Sequence, residues 1–382
     1  MQSPRQPSNR SSWVLSPRQL CDLELIASGA FAPLDSFLGQ ADYESVCESM
    51  RLQNGSLWPV PVTLDIPEDT LRAATRSGAL TLLDAQRRAV GVLAITEAWQ
   101  PDRRAEARTV LGTTDPVHPS VAYLETATNP WYVTGRLDAL RDIAHPDLPP
   151  LVRTPAEVRS EIAQRGWLKV VAFNTRNPMH GAHRALVMRA LADAAAAVLL
   201  HPVVGPTRPG DVPATARARS YQAVLRSLPP DRSMLALLPL AMRMAGPREA
   251  LWHAVIRRNF GATDFVVGRD QASPGKDSRG RPFYEQYAAQ DLVRAYEAEL
   301  GIRPLCLPEL VYVDGRGYLP RAEVPPGAVA RTISGTRLRE LLTAGAEVPP
   351  WLAAPDVVAE LAGAFSGATP PGRGAVPVLA RD

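Results

Sequence analysis

The chain has 382 residues, and its 42 basic and 39 acidic side chains leave a formal net charge of +3, which excludes a protein that coats nucleic acid by bulk charge. Hydrophobic residues make up 46% and charged residues 21%, a globular rather than a disordered composition. The length predicts two or three domains.

In chain order, residues 1–12 are polar and are expected to fray. The opening MQSPRQPSNRSSWVLSP lacks the apolar core of a signal peptide. A helix is predicted over 18–28, leading into the turn-rich FAPLDSFLG. Short apolar runs at 58–66, 79–83 and 89–95 then suggest a β-rich domain extending to about residue 146. Pro-rich DLPPLVRTP, 147–155, reads as a linker. After it the rhythm becomes strand and helix in alternation. Strands are predicted at 169–173, 196–204, 234–240 and 265–268, and helices from about 180 to 191 and over 247–260. That alternation implies a parallel sheet covered on both faces. One long helix is predicted over 284–300, then short helical pieces at 334–342 and 356–365, and a disordered Pro/Gly-rich tail, ATPPGRGAVP.

Several site classes are excluded by residue content. Lys169 and Lys276 are the only lysines. Lys276 follows Gly275 but precedes Asp277, and Asp270 stands where the first glycine of GxxxxGK[ST] belongs, so no P-loop exists. GxGxxG is absent, which removes the usual nicotinamide-binding signature. Cys21, Cys47 and Cys306 are far apart, odd in number and form no CxxC, so neither a disulfide framework nor a zinc ribbon is expected. The most apolar helix-length stretch, 190–204, contains Asp193 and His201 and falls short of the ~20 residues a membrane span needs. A cytoplasmic location is expected.

The richest segment is Asn174-Thr175-Arg176-Asn177-Pro-Met-His180-Gly-Ala-His183. A strand ends, a loop carries Arg and Asn, and a helix opens with two histidines at i and i+3, on one face of its first turn. A helix N-terminus favours an anion, so the group describes a polyphosphate site at the carboxyl edge of a parallel sheet. Taken alone, the histidines could equally be ordinary surface residues or two ligands of a metal, although no third ligand lies in the segment. Three more segments follow strands or open helices in the same way: His201-PVVGPT-Arg208-PG-Asp211, Met242-Arg243-MAGP-Arg248-Glu249, and Gly268-Arg269-Asp270-Gln271-Ala272. Each adds arginines, and glycine permits close backbone approach in the last.

The motifs NTRNPMHGAH, HPVVGPTRPGD, MRMAGPREALWHAVIRRNFGATDFVVGRD and TISGTRLR resemble the single-chain ATP sulfurylase (sulfate adenylyltransferase) family, as does LELIASGAFAPLDSFLGQADYESVCESMRLQNGSLWPVPVTLDI near the N-terminus. The resemblance implies an α/β protein: a β-rich PUA-like domain over 1–150, a Rossmann-like nucleotidyltransferase domain over 151–315, and a small C-terminal α/β domain over 316–382 with the disordered tail. It implies that Arg176 bridges sulfate and the α-phosphate, that Thr175 and Asn177 hold phosphate oxygens, and that His180 and His183 grip the phosphates. Arg269 and the backbone N–H of Ala272 would bind sulfate, Gly268 and Asp270 would meet the ribose, and Ile333 would pack on adenine. Asn174 stands where the family normally has a glutamine that reaches the oxyanion, leaving a gap of about one methylene. Gly181 and Gln271 stand where Arg and His are frequent. The cysteine cluster of zinc-binding relatives is missing, so Mg²⁺ with ATP is expected and structural zinc is not.

The expected activity is therefore adenylyl transfer from ATP to sulfate, or its reverse, within sulfur metabolism. The expected partners are ATP and sulfate or a related oxyanion, with no nucleic acid or membrane, in a homo-oligomer, most simply a dimer. Two alternatives stay open: an adenylyltransferase of the same fold with another oxyanion or organic acid acceptor, and a non-catalytic nucleotide-binding regulator.

Overall fold

The computed structural model describes residues 11–208, 210–333 and 335–365. Most of the segment expected to fray and the whole of the expected tail lie outside these residues, as does Ser334 of the Ile333-Ser-Gly loop.

The first unit runs β1 (Ser11–Val14), α1 (Pro17–Ala27), α2 (Gln40–Ser49), β2 (Leu64–Ile66), α3 (Glu68–Ser77), β3 (Leu80–Leu83), β4 (Ala89–Trp99), α4 (Arg103–Val110), α5 (Pro119–Thr126) and β5 (Trp131–Asp138). Its five strands form one sheet in the order β1-β3-β4-β5-β2. Helix α1 starts where the sequence places it, because Ser16 and Gln19 form a capping box and Pro17 occupies the first turn, where a missing N–H costs nothing.

The second unit contains α6 (Pro155–Gln164), β6 (Lys169–Phe173), α7 (Gly181–Leu191), β7 (Ala196–Leu200), α8 (Ala214–Arg226), β8 (Ser233–Leu235), α9 (Gly246–Asn259), β9 (Asp264–Val267), α10 (Ala288–Ala295), α11 (Glu297–Leu300) and β10 (Arg303–Cys306). The sheet order is β10-β9-β6-β7-β8, parallel throughout. The order reverses at β6, so the carboxyl ends of β6 and β9 frame the crevice where ligands bind in such sheets.

Three expectations need correction here. The stretch read as a linker already holds structure: Val152 bridges Leu237, and Thr154 forms a capping box with Glu157 that starts α6. Proline there marks a helix start rather than a spacer. The sheet does not end at residue 268, because β10 adds a fifth strand beside β9; it is a four-residue edge strand with Pro304, where proline is tolerated. The long helix over 284–300 is two pieces broken at Tyr296.

Side chains alternate across β6. Val170 and Ala172 join the core shared with the first unit. Val171 and Phe173 face the opposite core with Val187 of α7 and Tyr221 of α8. Phe31, Trp58 and Trp252 pack with ring centroids 5.0 to 6.1 Å apart and fasten the first unit to α9.

The last unit is a three-stranded antiparallel sheet, β11 (Leu310–Val313), β12 (Gly317–Pro320) and β13 (Ala330–Thr332), in the order β12-β11-β13. It is followed by α12 (Gly335–Thr343) and α13 (Pro355–Phe365), the latter lying along α8.

Candidate active site

A cleft of about 310 Å³ opens at the carboxyl ends of β6 and β9 and is bordered on its other side by residues 307–310, Ile333 and Gly335. Asn174, Thr175, Arg176, Asn177, His180 and His183 line one wall, Gly268, Arg269, Asp270 and Ala272 the other, and Ile333 the roof. The structure thus brings to one cavity every residue to which the family resemblance gives a role.

His180 is the N-cap of α7 and makes no side-chain cap bond. Its ring stacks on that of His183, with centroids 3.6 Å apart and planes 16° apart. Nδ1 of each ring lacks a hydrogen-bond partner among the described residues. Burial pushes His180 down to about 4 and His183 well below its ordinary value, with the neighbouring His180 adding to the effect. Both imidazoles are therefore neutral near pH 7 in the free protein.

Gly181 explains how the roof reaches this helix. A Cβ there would lie 1.9 Å from the Tyr318 hydroxyl and 2.6 Å from the Trp351 carbonyl oxygen. The bare backbone lets Tyr318 donate to Trp351 while the Gly181 N–H donates to the Leu352 carbonyl at 2.8 Å.

Arg176 donates through Nη1 to both oxygens of Asp211, at 2.6 and 2.8 Å, and through Nη2 to the Ser273 carbonyl. Asp211 also accepts from Arg339 and from the Arg208 backbone N–H. Across the cleft Arg269 pairs with Glu309 at 2.8 Å and Asp270 at 3.1 Å. Ala272 holds a φ of 55°, a left-handed conformation that costs a non-glycine residue about 1–3 kcal/mol and recurs at functional sites.

Asn174 is 6% exposed, and neither amide atom is idle. Nδ2 meets His253 Nδ1 at 3.0 Å, and Oδ1 accepts from Gln271 Nε2 at 3.0 Å. The shorter amide is thus held by Gln271 from the opposite wall and by His253 from α9.

The arginines of the other two motifs do not line the cleft. Arg243 is buried against Asp22 of α1 at 2.5 Å, and Arg248 donates to the Val46 and Cys47 carbonyls; both fasten the first unit to the second. Arg208 donates to the Pro274 carbonyl at the margin. Arginine placement after a strand is legible locally, but the partner comes from another element. His253 and Glu309 were missed as lining residues, and Gln271, named within its motif, had been given no role. Glu249 and His253 sit at i and i+4 in α9, a spacing that could have flagged them.

The neutral histidines carry a pH prediction. His118 is pushed down by burial to about 4, and burial also lowers His201 and His253. With folded values depressed below the unfolded value of about 6.5, the unfolded chain binds more protons in acid. The stabilisation is therefore complete above about pH 6.5 and is lost as pH falls toward 4. The melting temperature should be flat above pH 7 and lower at pH 5; an unchanged value at pH 5 would contradict neutral burial of these rings.

A parallel sheet with a cation-rich cleft at its switch point defines a Rossmann-like domain built to hold an anionic nucleotide. Residues 149–364 match the ATP-sulfurylase family and residues 3–142 the PUA-like domain family. The chain belongs to the ATP-sulfurylase family. It is similar to the sulfate adenylyltransferases of Emericella nidulans (48% identity, 91% of this chain, 61% of the relative) and of Schizosaccharomyces pombe (47% identity, 91% and 72%). It therefore spans about 61% of the length of the Emericella relative. Among solved structures, "Hexameric APS kinase from Thiobacillus denitrificans" superposes with a TM-score of 0.73 at 28% identity, over 92% of this chain and 62% of that one. No helix among the described residues is long and apolar enough to cross a membrane.

Proposed function

We propose that the cleft is the active site of a sulfate adenylyltransferase, which converts ATP and sulfate to adenosine 5′-phosphosulfate and pyrophosphate or runs the reverse. The observation that carries this reading is the convergence of Arg176, Arg269, His180 and His183 on one cavity at the switch point. A sulfate oxygen forms a bond to the α-phosphorus as the bond to the bridging oxygen breaks, and pyrophosphate leaves with that electron pair. Both the nucleophile and the leaving group are already anions, so no base is required. Catalysis is positioning and charge neutralisation. Arg176 spans sulfate and the α-phosphate, Arg269 and the Ala272 N–H hold sulfate, and the histidines with Thr175 and Asn177 hold the phosphates. Gly268 and Asp270 meet the ribose, and Ile333 packs on adenine.

Magnesium enters on the triphosphate as part of the substrate. The two carboxylates lining the cleft, Asp270 and Glu309, are paired with Arg269, and no group of three or more His, Cys, Asp or Glu suited to a metal occurs among the described residues. The enzyme is proposed to work without structural zinc, in the cytoplasm and as a homo-oligomer.

The test is pyrophosphate release from Mg·ATP with sulfate, selenate, molybdate, phosphate or no acceptor, with adenosine phosphosulfate identified directly and pyrophosphatase present to draw the reaction forward. Sulfate-dependent phosphosulfate formation is expected. Turnover only with another acceptor would transfer the reading to that acceptor, and ATP binding without turnover on any would favour a regulator.

A further inference from the structure

Glu249, His253 and Arg257 lie at i, i+4 and i+8 along α9 and are fully buried. His253 is the one that reaches the cleft. Its Nδ1 faces Asn174 Nδ2 at 3.0 Å and Gln271 Nε2 at 3.3 Å, and its Nε2 faces Glu249 Oε1 at 3.5 Å.

Amide and imidazole orientations in such a chain are usually ambiguous, but here both ends are anchored by backbone groups that can only donate. At one end the Gly268 N–H donates to Gln271 Oε1 at 3.2 Å. The other end of Gln271 is therefore its NH₂, and the Asn174 atom it meets at 3.0 Å is the carbonyl oxygen. Asn174 must then turn its NH₂ to His253 Nδ1, which must accept and so carries no proton. At the far end the Arg243 and Ala245 N–H groups donate to the two oxygens of Glu249, each at 2.9 Å. These bonds hold Glu249 in place. With Nδ1 bare, the proton of the neutral ring sits on Nε2, which lies 3.5 Å from Glu249 Oε1 and makes no hydrogen bond among the described residues. Burial and the neighbouring Arg257 both lower the His253 pKa, in keeping with a neutral ring.

Each amide NH₂ has two hydrogens. One of Asn174's goes to His253, and the other has no protein partner among the described residues. It is the hydrogen left for an anion in the cleft. A flipped Asn174 would instead offer that anion a carbonyl oxygen, which repels it.

We propose that His253, buried beside Glu249 and assisted by Gln271, is a positioning residue that locks Asn174 with its N–H toward the acceptor oxyanion. This rests on the cleft being an oxyanion site, and it extends that reading to His253 and Gln271 at the cleft wall and to Glu249 behind them. Because the locked group can only donate, the acceptor must present an unprotonated oxygen to it.

The experiment measures binding of radiolabelled sulfate to protein saturated with magnesium α,β-methylene-ATP, alongside steady-state KM values for sulfate and ATP. The variants are His253→Leu, His253→Asn and Gln271→Met, each checked by its melting curve. His253→Leu removes the acceptor at Nδ1 and should weaken sulfate at least about tenfold, the scale of one hydrogen bond to a charged group, with the ATP KM within about twofold. His253→Asn places Oδ1 near the position of Nδ1 and should recover most of the loss. Gln271→Met leaves the core intact but frees Asn174 and should weaken sulfate by a smaller factor, again without touching ATP.

Sulfate affinity unchanged in both His253→Leu and Gln271→Met overturns the proposal, as does equal loss for sulfate and ATP, or an Asn variant no better than Leu. Because binding is read separately from turnover, a wild type that binds sulfate in this His253-dependent way yet makes no phosphosulfate would sink the adenylyl-transfer reading and keep the lock. A wild type that binds no sulfate would sink the lock.

Discussion

Replacing Arg176 with alanine is expected to lower sulfate-dependent turnover by about 10²–10³-fold or more, the loss typical of one preorganised donor to developing charge. The fold should survive. The guanidinium rests on Asp211, whose side chain is only 3% exposed, so deleting it removes one partner of a buried carboxylate. Asp211 keeps Arg339 Nη1 at 3.1 Å and the Arg208 N–H at 3.2 Å, so its charge stays compensated. The melting temperature should therefore move by only a few degrees while activity collapses. Arg176→Lys should rescue little, because a point charge cannot reproduce the fork that spans two oxygens. Kinetics and melting curves on the same preparations check this, and an alanine variant with near-normal turnover would remove Arg176 from the mechanism.

The largest loss of stability is expected from Asp22→Ala. Asp22 of α1 and Arg243 before α9 form a buried pair at 2.5 Å, with side chains 1% and 6% exposed. Arg18 lies close enough to push on the same charge. Without Asp22, the buried Arg243 loses its counter-charge beside Arg18, and breaking a buried pair from one side costs about 3–5 kcal/mol. At roughly 2–4 °C per kcal/mol for a unit of 150–250 residues, the first melting transition should fall by roughly 10 °C. The double replacement Asp22→Leu with Arg243→Met should recover part of this, since both charges leave together. Arg243 also donates its backbone N–H to Glu249, which faces His253, so the single variant should weaken sulfate before ATP. A melting temperature unchanged in Asp22→Ala would mean that the pair does not hold the two units together.

Much of this was legible in the sequence, and the readable parts share one property. Helix α7 with its two histidines, the loop Asn174–Asn177, and the turn Gly268–Ala272 each lie within a dozen residues, where spacing along the chain dictates spacing in space. Strand periodicity and the alternation with helices likewise follow from local steric preference and burial, and they announced a parallel sheet. The motifs then pointed to the family as a whole. Where the reading failed, the competing principle was tertiary: the edge strand β10 exists because β9 offers it an unpaired edge, and helix α6 begins inside a proline-rich stretch because Thr154 and Glu157 cap it.

What the tertiary structure alone decided is the partner of each charge. Arg176 and Arg243 are the same residue type in similar settings, each in a loop leading to a helix. One is held at the cleft by Asp211, 35 residues on, and the other is locked into a domain interface by Asp22, 221 residues back. No local pattern separates them, because a buried charge takes its role from the counter-charge and the dielectric that the whole fold brings to it. The same holds for Asn174. Its identity was plain from the chain, but the direction of its amide depends on a glycine N–H that orients Gln271 on the opposite wall and on His253 of α9, which only folding brings within reach.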